Sequence, residues 1–371
     1  MKICIFETQH FEGAYPVIKL FDRPSNQITV ITSQETYRRF EELFQENLSR
    51  YSWIILPESK TRFFYTLYKN LKKLKPDILY LNTISNNHML FAFVLARLGL
   101  KRVILTVHDI NCLFESRFAW NFRKSVIHRG KKWLIKQITE FNVVSETMLD
   151  YLKTKVNSRP VIQVPGAVFE ERFLSQSIEK EIRLVVPGSI DKKRRDYEQV
   201  FELASLAKDH QLPLTITLLG GCSDEFGKAI VERAKKSRYK SCKIFAYDEA
   251  NVDQAEFDRQ IDACHFVFIP SVIHTQICGN IPEVYGITKS SGNIFDVIKH
   301  AKPFIVPGEL TVSKDLESSY FKYDSIKHII EFLGDFIESP IHYQNWQEKA
   351  LENSRLYSIE RIRQKNLSLF G

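Results

Sequence analysis

Short runs of apolar residues recur along nearly the whole chain, and longer amphipathic segments separate them. Strands of a parallel sheet are buried on both faces and therefore read as continuous apolar runs. The predicted strands are 3–6, 28–31, 51–56, 78–81, 103–107, 141–144 and 161–164 in the first half, and 183–186, 214–219, 243–245, 266–269 and 304–306 in the second. The alternation predicts an α/β fold with a doubly wound parallel sheet in each half.

The chain has 371 residues, which is too long for one ordinary hydrophobic core and indicates two domains of similar size. The apolar periodicity fades between Pro165 and Lys180, so we expect the domain boundary there. After Pro307 the pattern predicts mainly helices.

The chain carries a net charge of +8, which predicts an anionic partner. Nucleic acid, an anionic membrane surface and a phosphorylated substrate all fit that charge. The six cysteines form no CxxC pair and lie near no histidine cluster, so a zinc site is not expected. The cysteine pattern and the direct entry of the N-terminal residues into a strand predict a cytoplasmic protein, with the inner face of the membrane as a further expectation.

A loop rich in Gly, Thr, Lys and Ser follows Glu283, and Ser291-Gly292 reads as the start of a helix. A helix N-terminus exposes unpaired N–H groups at the positive end of the helix dipole. Ser290 and Ser291 add hydroxyl donors, and Lys289 adds a full charge. The segment therefore predicts a diphosphate site, with an ordinary serine-capped helix as the alternative.

A second cationic segment, GSIDKKRRDY, spans Gly188 to Tyr197 between a predicted strand and a predicted helix. Arginine holds phosphate oxygens well because its guanidinium can donate two parallel hydrogen bonds. Ligands of doubly wound folds bind at this edge of the sheet, so we favour phosphate binding over a solvated run of charge.

Polar residues also follow strands of the first half, where a cleft-lining loop is expected. His10, Glu12, His108 and Asp109 are candidates for acid, base or acceptor contacts, although for each one taken singly a capped or hydrogen-bonded loop residue is the more common case. No GxGxxG follows the first strand of either half, so the main signature of a nicotinamide or flavin site is missing. The sequence contains no Asp-x-Asp, so a metal-bridged diphosphate is not indicated.

Two stretches, Lys60 to Lys75 and Arg117 to Lys136, interleave basic and aromatic residues. Such stretches suit an anionic membrane surface and also suit nucleic acid. An amphipathic helix that covers the sheet is the alternative, and the second stretch is the stronger membrane candidate.

The sequence resembles the GT-B glycosyltransferases of the family 4-like group. The resemblance is carried by GSIDKKRRDY, TITLLGG and EVYGITKSSGNIFDVIKHAKPFIVP in the second half, with TVHD and VVSETMLDYL in the first. It implies two facing Rossmann-like domains: residues 1–170 would bind the acceptor and residues 171–355 the nucleotide-sugar donor. Residues 356–371 would form a terminal helix that crosses back onto the first domain.

The resemblance also implies roles for individual residues. Arg194 or Arg195 takes the place of the cation that neutralises the donor diphosphate, and Glu283 that of the glutamate on the donor sugar. The second glutamate of the family motif falls at Ser291, and Ser189 stands where many members have arginine; both are departures. The expected donor-binding residues are Gly188, Ser189, Arg194, Arg195, Tyr285, Gly286, Thr288, Lys289, Ser290, Ser291 and Gly292, and the expected catalytic residues are His10, His108, Asp109 and Glu283.

The implied reaction transfers a sugar from a nucleoside diphosphate sugar, the co-substrate, to a hydroxyl of a lipid-linked or cell-surface glycan precursor. No cofactor, metal or nucleic acid is expected, and the basic aromatic segments would contact an anionic membrane. The alternatives are a sugar-nucleotide epimerase of the same fold, a non-catalytic glycosyltransferase-like subunit and, more distantly, a nucleic-acid-binding module.

Overall fold

The computed structural model describes residues 1–115, 121–172, 176–237, 239–276 and 280–370. The first domain contains a seven-stranded, entirely parallel sheet with the order β3-β2-β1-β4-β5-β6-β7. Its strands are β1 (Lys2–Phe6), β2 (Gln27–Ser33), β3 (Ser52–Leu56), β4 (Ile78–Leu81), β5 (Val103–Val107), β6 (Glu140–Val143) and β7 (Val161–Gln163).

Helices cover both faces of this sheet. They are α1 (Phe11–Phe21), α2 (Gln34–Phe44), α3 (Lys60–Leu74), α4 (His88–Leu98), α5 (Ile110–Phe114), α6 (Phe122–Gln137) and α7 (Leu149–Lys153), with 3-10 turns at Gln45–Arg50 and Glu146–Met148. Local signals explain where several of them begin and end. Ser33 caps α2 by accepting a hydrogen bond from the Thr36 N–H, and Gly99 ends α4 with a φ of +56°.

The second domain repeats this architecture with a six-stranded parallel sheet in the order β10-β9-β8-β11-β14-β15. The strands of this half, including the short antiparallel pair β12-β13, are β8 (Ile182–Pro187), β9 (Leu214–Leu219), β10 (Cys242–Ala246), β11 (Phe266–Phe268), β12 (His274–Thr275), β13 (Glu283–Val284), β14 (Phe304–Pro307) and β15 (Tyr320–Tyr323). The helices are α8 (Tyr197–Asp209), α9 (Glu225–Lys236), α10 (Gln254–Ala263), α11 (Gly292–His300), α12 (Ile326–Glu338), α13 (Ile341–Arg355) and α14 (Ile359–Lys365), with 3-10 turns at Lys314–Ser319 and Leu367–Leu369.

The predicted fold class, two doubly wound parallel sheets, is confirmed. Apolar clusters lie on both faces of each sheet, for example around Phe266 and Phe304 in the second domain. The described chain after Pro307 is mainly helical, as predicted, and the one element that the pattern missed there is β15, an edge strand beside β14. Lys322 in the middle of β15 is exposed, as is usual for an edge strand, and this hid the strand from the apolar pattern.

The last described segment lies against the first domain. Ile362, Leu369 and Phe370 pack into the cluster formed around α1, and the Phe370 ring lies 6.0 Å from that of Phe21. Arg363 donates to the backbone oxygens of Lys19 and Asp22, each at 2.7 Å. Asn366 donates to the Gln163 oxygen at 2.9 Å. These contacts tie the end of the chain to the domain with which it began.

The predicted basic aromatic helix over Arg117 to Lys136 corresponds to α6, and Arg117, Phe118 and Trp120 lie outside the described residues. Lys131 is not part of the exposed basic face, because its side chain is buried and its ammonium donates to the Cys112 oxygen. Among the helices that the structure describes, none is both long enough and apolar enough to span a membrane.

Candidate functional site

The loop at Gly188–Asp196 follows β8 and comes into contact with the start of α11. Arg195 donates from Nη1 to the Ser189 oxygen at 2.9 Å and from Nη2 to Asn293 Oδ1 at 3.0 Å. Asn293 in turn donates to the Pro187 oxygen at 2.8 Å. The structure therefore joins the two pieces that the sequence singled out separately, the arginine turn and the helix N-terminus.

Gly188 makes this arrangement possible. Its φ is +89°, a conformation that favours glycine, and an added Cβ would lie 2.2 Å from Arg195 Nη2. Two hydrogen bonds from Arg194 N and Arg195 N to the Asp191 oxygen, each 3.1 Å, shape the turn. The turn thereby directs Arg195 inward and Arg194 outward.

Arg195 is buried, with 8% of its surface exposed, yet no carboxylate lies within 4.0 Å of its guanidinium among the described residues. Its Nε is also buried and without a hydrogen-bond partner in the part of the chain that the structure describes. Burial is the main cause that lowers the pKa of this group, because a desolvated cation is unfavourable. The Asp296 carboxylate acts on Arg195 only from a longer distance, and a buried cation without a direct ion pair is costly, so this position is suited to an anion.

Arg194 has a different environment. About half of its side chain is exposed, and its Nε lies 3.2 Å from the Asp191 carboxylate. A surface pair of this kind contributes roughly 0.2–1 kcal/mol. Of the two arginines that the resemblance left open, Arg195 is therefore the one with an inward-facing guanidinium.

The start of α11 keeps its donors available. Ser291 precedes the helix, and its hydroxyl donates to Asn293 Oδ1 at 3.4 Å rather than accepting from a backbone N–H of the described helix. Gly292 is exposed, and nothing described lies within 4 Å of a Cβ placed on it. The first N–H groups of the helix can therefore be approached by a ligand.

The loop before α11 uses some predicted donors for its own structure. Thr288 Oγ1 accepts from the Val284 N–H at 2.8 Å, so this hydroxyl shapes the loop. Gly286 has a φ of +85°, and an added Cβ would lie 2.2 Å from the Thr311 oxygen. Tyr285 is buried, whereas Ser290 is half-buried and lines the crevice between the domains.

Glu283 faces the first domain. Its Oε1 accepts from the Cys112 N–H at 2.6 Å, in the first turns of α5. Its Oε2 is buried and has no hydrogen-bond partner among the described residues. Burial raises the pKa of this carboxyl. The second oxygen is thus an unsatisfied acceptor at the interface between the domains.

Asp109 and Lys289, predicted in different domains, form an ion pair across the interface. The Ile110 N–H also donates to the Thr288 oxygen at 2.9 Å, and Asn111 Nδ2 donates to the Pro282 oxygen at 2.9 Å. The cleft-lining loop of the first domain is therefore bound directly to the loop that precedes α11.

The two predicted histidines lie together, with ring centroids 5.9 Å apart. His108 Nε2 is 3.0 Å from the backbone oxygen of Asn82, which can only accept, so Nε2 carries the proton and Nδ1 is the acceptor nitrogen of the ring. Burial and the neighbouring His10 lower the pKa of His108, which keeps the ring neutral.

The sequence reasoning missed Glu7 and Asn82. Glu7 is fully buried and accepts from the N–H groups of Gln9 and His10 and from Asn82 Nδ2 at 2.5, 2.9 and 2.7 Å. It thereby fixes the turn that carries His10. Both residues come directly after a strand, β1 or β4, and a polar residue at the carboxyl end of a parallel strand was the available signal.

A narrow crevice runs between the domains beside α11. Hydroxyl groups of Ser145, Thr147, Ser290 and Thr311 line it, and Glu146 accepts from Ser313 across it at 2.7 Å. Within the described ranges, no three His, Cys, Asp or Glu side chains converge in a way that could hold a metal ion.

Comparison with known proteins gives the family context of this geometry. Residues 18–172 match the model of Glycosyltransferase Family 4. No curated protein sequence is similar enough to count as a relative. The match lies in the first domain, whereas the more specific motifs of the predicted resemblance lie in the second.

Solved structures share the whole two-domain arrangement. Sucrose-phosphate synthase from Thermosynechococcus elongatus superposes with a TM-score of 0.66 at 12% identity, covering 100% of this chain and 98% of its own. Anabaena HepE, solved with UDP and glucose, superposes with a TM-score of 0.61 at 12% identity, covering 100% of this chain and 99% of its own. UDP-GlcNAc 2-epimerase from Neisseria meningitidis, bound to UDP-GlcNAc, superposes with a TM-score of 0.56 at 13% identity, covering 99% of this chain and 100% of its own.

The predicted GT-B fold is thus confirmed. Glycosyltransferases and epimerases both share it, so the fold by itself leaves the reaction open.

Proposed function

We propose that this GT-B protein, whose first domain matches Glycosyltransferase Family 4, transfers a sugar from a nucleoside diphosphate sugar to a hydroxyl acceptor. The observation that carries the proposal is the buried Arg195 guanidinium, which has no carboxylate beside it within the described chain and contacts Asn293 at the open N-terminus of α11. In the reaction, negative charge develops on the departing diphosphate. A preorganised cation and helix N–H groups stabilise that charge.

The first domain would supply the acceptor side. In this proposal His108 accepts a hydrogen bond from an acceptor hydroxyl at Nδ1, and His10 lies beside it. Glu283 Oε2 is an unsatisfied acceptor suited to a hydroxyl of the donor sugar. In this proposal arginine, amide and hydroxyl groups bind the diphosphate, and the reaction needs no metal ion.

The acceptor we propose is a lipid-linked or cell-surface glycan precursor reached at an anionic membrane. Helices α3, α4 and α6 pack side by side and expose large apolar side chains, namely Tyr65, Phe93, Phe122 and Ile127. Phe122 is 84% exposed at the start of α6, where Arg123 and Lys124 follow it. Exposed aromatics among cations suit the interface of an anionic bilayer.

The test is a panel of nucleoside diphosphate sugars, screened first for a thermal shift of the folded chain and then for turnover. A transferase releases nucleoside diphosphate in proportion to added acceptor. An epimerase alters the sugar and keeps the nucleotide bond. Donor binding with neither outcome would indicate a non-catalytic subunit and refute the proposal, as would turnover that is unchanged in Arg195→Met.

A further inference from the structure

The loop of residues 282–289, which we call the donor loop, is attached to the first domain through groups that the proposed function needs for the donor. Lys289 is paired with Asp109, and Glu283 holds the N–H of Cys112. Lys289 is only 13% exposed and Asp109 25%. An ammonium with so little contact with water needs an anion nearby.

Asp109 and the arginine turn both influence Tyr285. The Lys289 ammonium lies 5.9 Å from the centre of the Tyr285 ring. Burial raises the pKa of Tyr285, and the Asp109 carboxylate raises it further. The cations of Lys289, Arg194 and Arg195 lower it. Three cations and one carboxylate thus act on the same phenol, and the carboxylate comes from the opposite domain.

We propose that the Asp109 carboxylate takes the place of a phosphate group. It pairs with Lys289 while the donor site is empty, and a donor diphosphate displaces it on entering. This inference rests on the proposed function. A diphosphate carries more negative charge than a carboxylate and offers two phosphate groups to the cations around Tyr285, so we expect the exchange to be favourable. After transfer, Asp109 can pair with Lys289 again and so helps the product diphosphate to leave.

The exchange would act on one contact of the interface and leave its neighbours in place. The Ile110–Thr288 and Asn111–Pro282 hydrogen bonds join neutral groups, and the Cys112 N–H is already held by the Glu283 carboxyl, so none of the three depends on the Asp109 charge. Donor entry would therefore change the pairing of Lys289 while α5 stays attached to the donor loop.

The test is calorimetric titration of the full chain with inorganic pyrophosphate. Asp109→Asn keeps the shape of the side chain and removes its charge. Asp109→Ala removes the whole carboxylate group. Asp150→Asn is the matched control, since it makes the same change of net charge at a side chain that is 95% exposed in the same domain. Thermal unfolding without ligand checks that each variant is folded.

Both Asp109 variants are expected to bind pyrophosphate about fivefold more tightly than the wild type. This change corresponds to about 1 kcal/mol of binding free energy, because pyrophosphate no longer has to break the Asp109–Lys289 pair. Their binding should also fall more steeply with salt, because the site gains one net positive charge. Asp150→Asn should bind as the wild type does.

Unchanged or weaker binding in folded Asp109 variants overturns the exchange and leaves the proposed function standing. Wild-type binding that is absent, or that does not depend on Arg195, overturns both proposals.

Discussion

Replacing Arg195 by methionine tests whether its buried charge serves the fold or a ligand. Arg195→Met keeps a long side chain in the space between Gly188 and Asn293 and removes the guanidinium. Within the described chain the native arginine donates to the Ser189 oxygen and to Asn293 Oδ1, but its Nε has no partner there and the charge is desolvated. Methionine removes the desolvation cost of the charge but leaves the two acceptors without this donor, so the two effects on stability oppose each other.

We therefore expect the free energy of unfolding of Arg195→Met to stay within about 1 kcal/mol of the wild type in urea titrations. Pyrophosphate binding should behave very differently. Hydrogen bonds to charged groups contribute about 1.5–3 kcal/mol each, so losing one phosphate contact of this kind weakens binding roughly 10- to 150-fold.

Arg194→Met is the matched control for this experiment. It makes the same chemical change one residue away, at a half-exposed side chain that is paired with Asp191. Because exposed pairs contribute little, we expect its pyrophosphate affinity to fall less than fivefold. The reasoning is refuted if Arg195→Met binds pyrophosphate as the wild type does, or if Arg194→Met loses as much affinity.

Three further predictions concern the arginine turn, α11 and the basic face of α6. Gly188→Ala should lower the free energy of unfolding by about 2 kcal/mol and weaken pyrophosphate binding, because the positive φ disfavours alanine and its Cβ would displace Arg195; an unchanged urea midpoint would contradict this. Burial raises the pKa of Asp296 to about 6, so above that pH its charge costs stability. Asp296→Asn should consequently stabilise by about 2 kcal/mol at pH 7.5, with the gain gone near pH 4, and a gain independent of pH would exclude this cause. Reversing Arg129 and Lys132 on α6 to glutamate should abolish binding to phosphatidylserine vesicles, whereas the same reversal at Lys327 and Lys349 should not; equal binding of both double variants would rule out the membrane surface.

Several parts of the fold could be predicted from short segments. Leu214–Leu219 is buried at every position because β9 is covered on both faces, and its leucine, isoleucine and threonine residues are typical of such a strand. β15 was not visible, because Lys322 and its neighbours at the sheet edge need not be apolar. The N-terminus of α11 was predicted one residue from its observed start, since Ser291-Gly292 is a local signal.

Much of the site was named from the sequence, but its pairings were not. The chain pattern placed Arg194 and Arg195 on one turn without indicating which one faces inward, and the conformations of Gly188 and of that turn decide this. Likewise, Glu283 was predicted to contact a ligand, yet one of its oxygens holds the Cys112 N–H, 171 positions away in the chain.

The sequence by itself determined two parallel sheets with cations, hydroxyls and histidines after their strands, because apolar period and turn chemistry are local properties. Only the tertiary structure decided that Arg195 meets Asn293 and that Lys289 meets Asp109. These partners are about 100 and 180 residues apart. These contacts depend on strand order and on how the two domains pack, and neither property can be read from any single stretch of sequence.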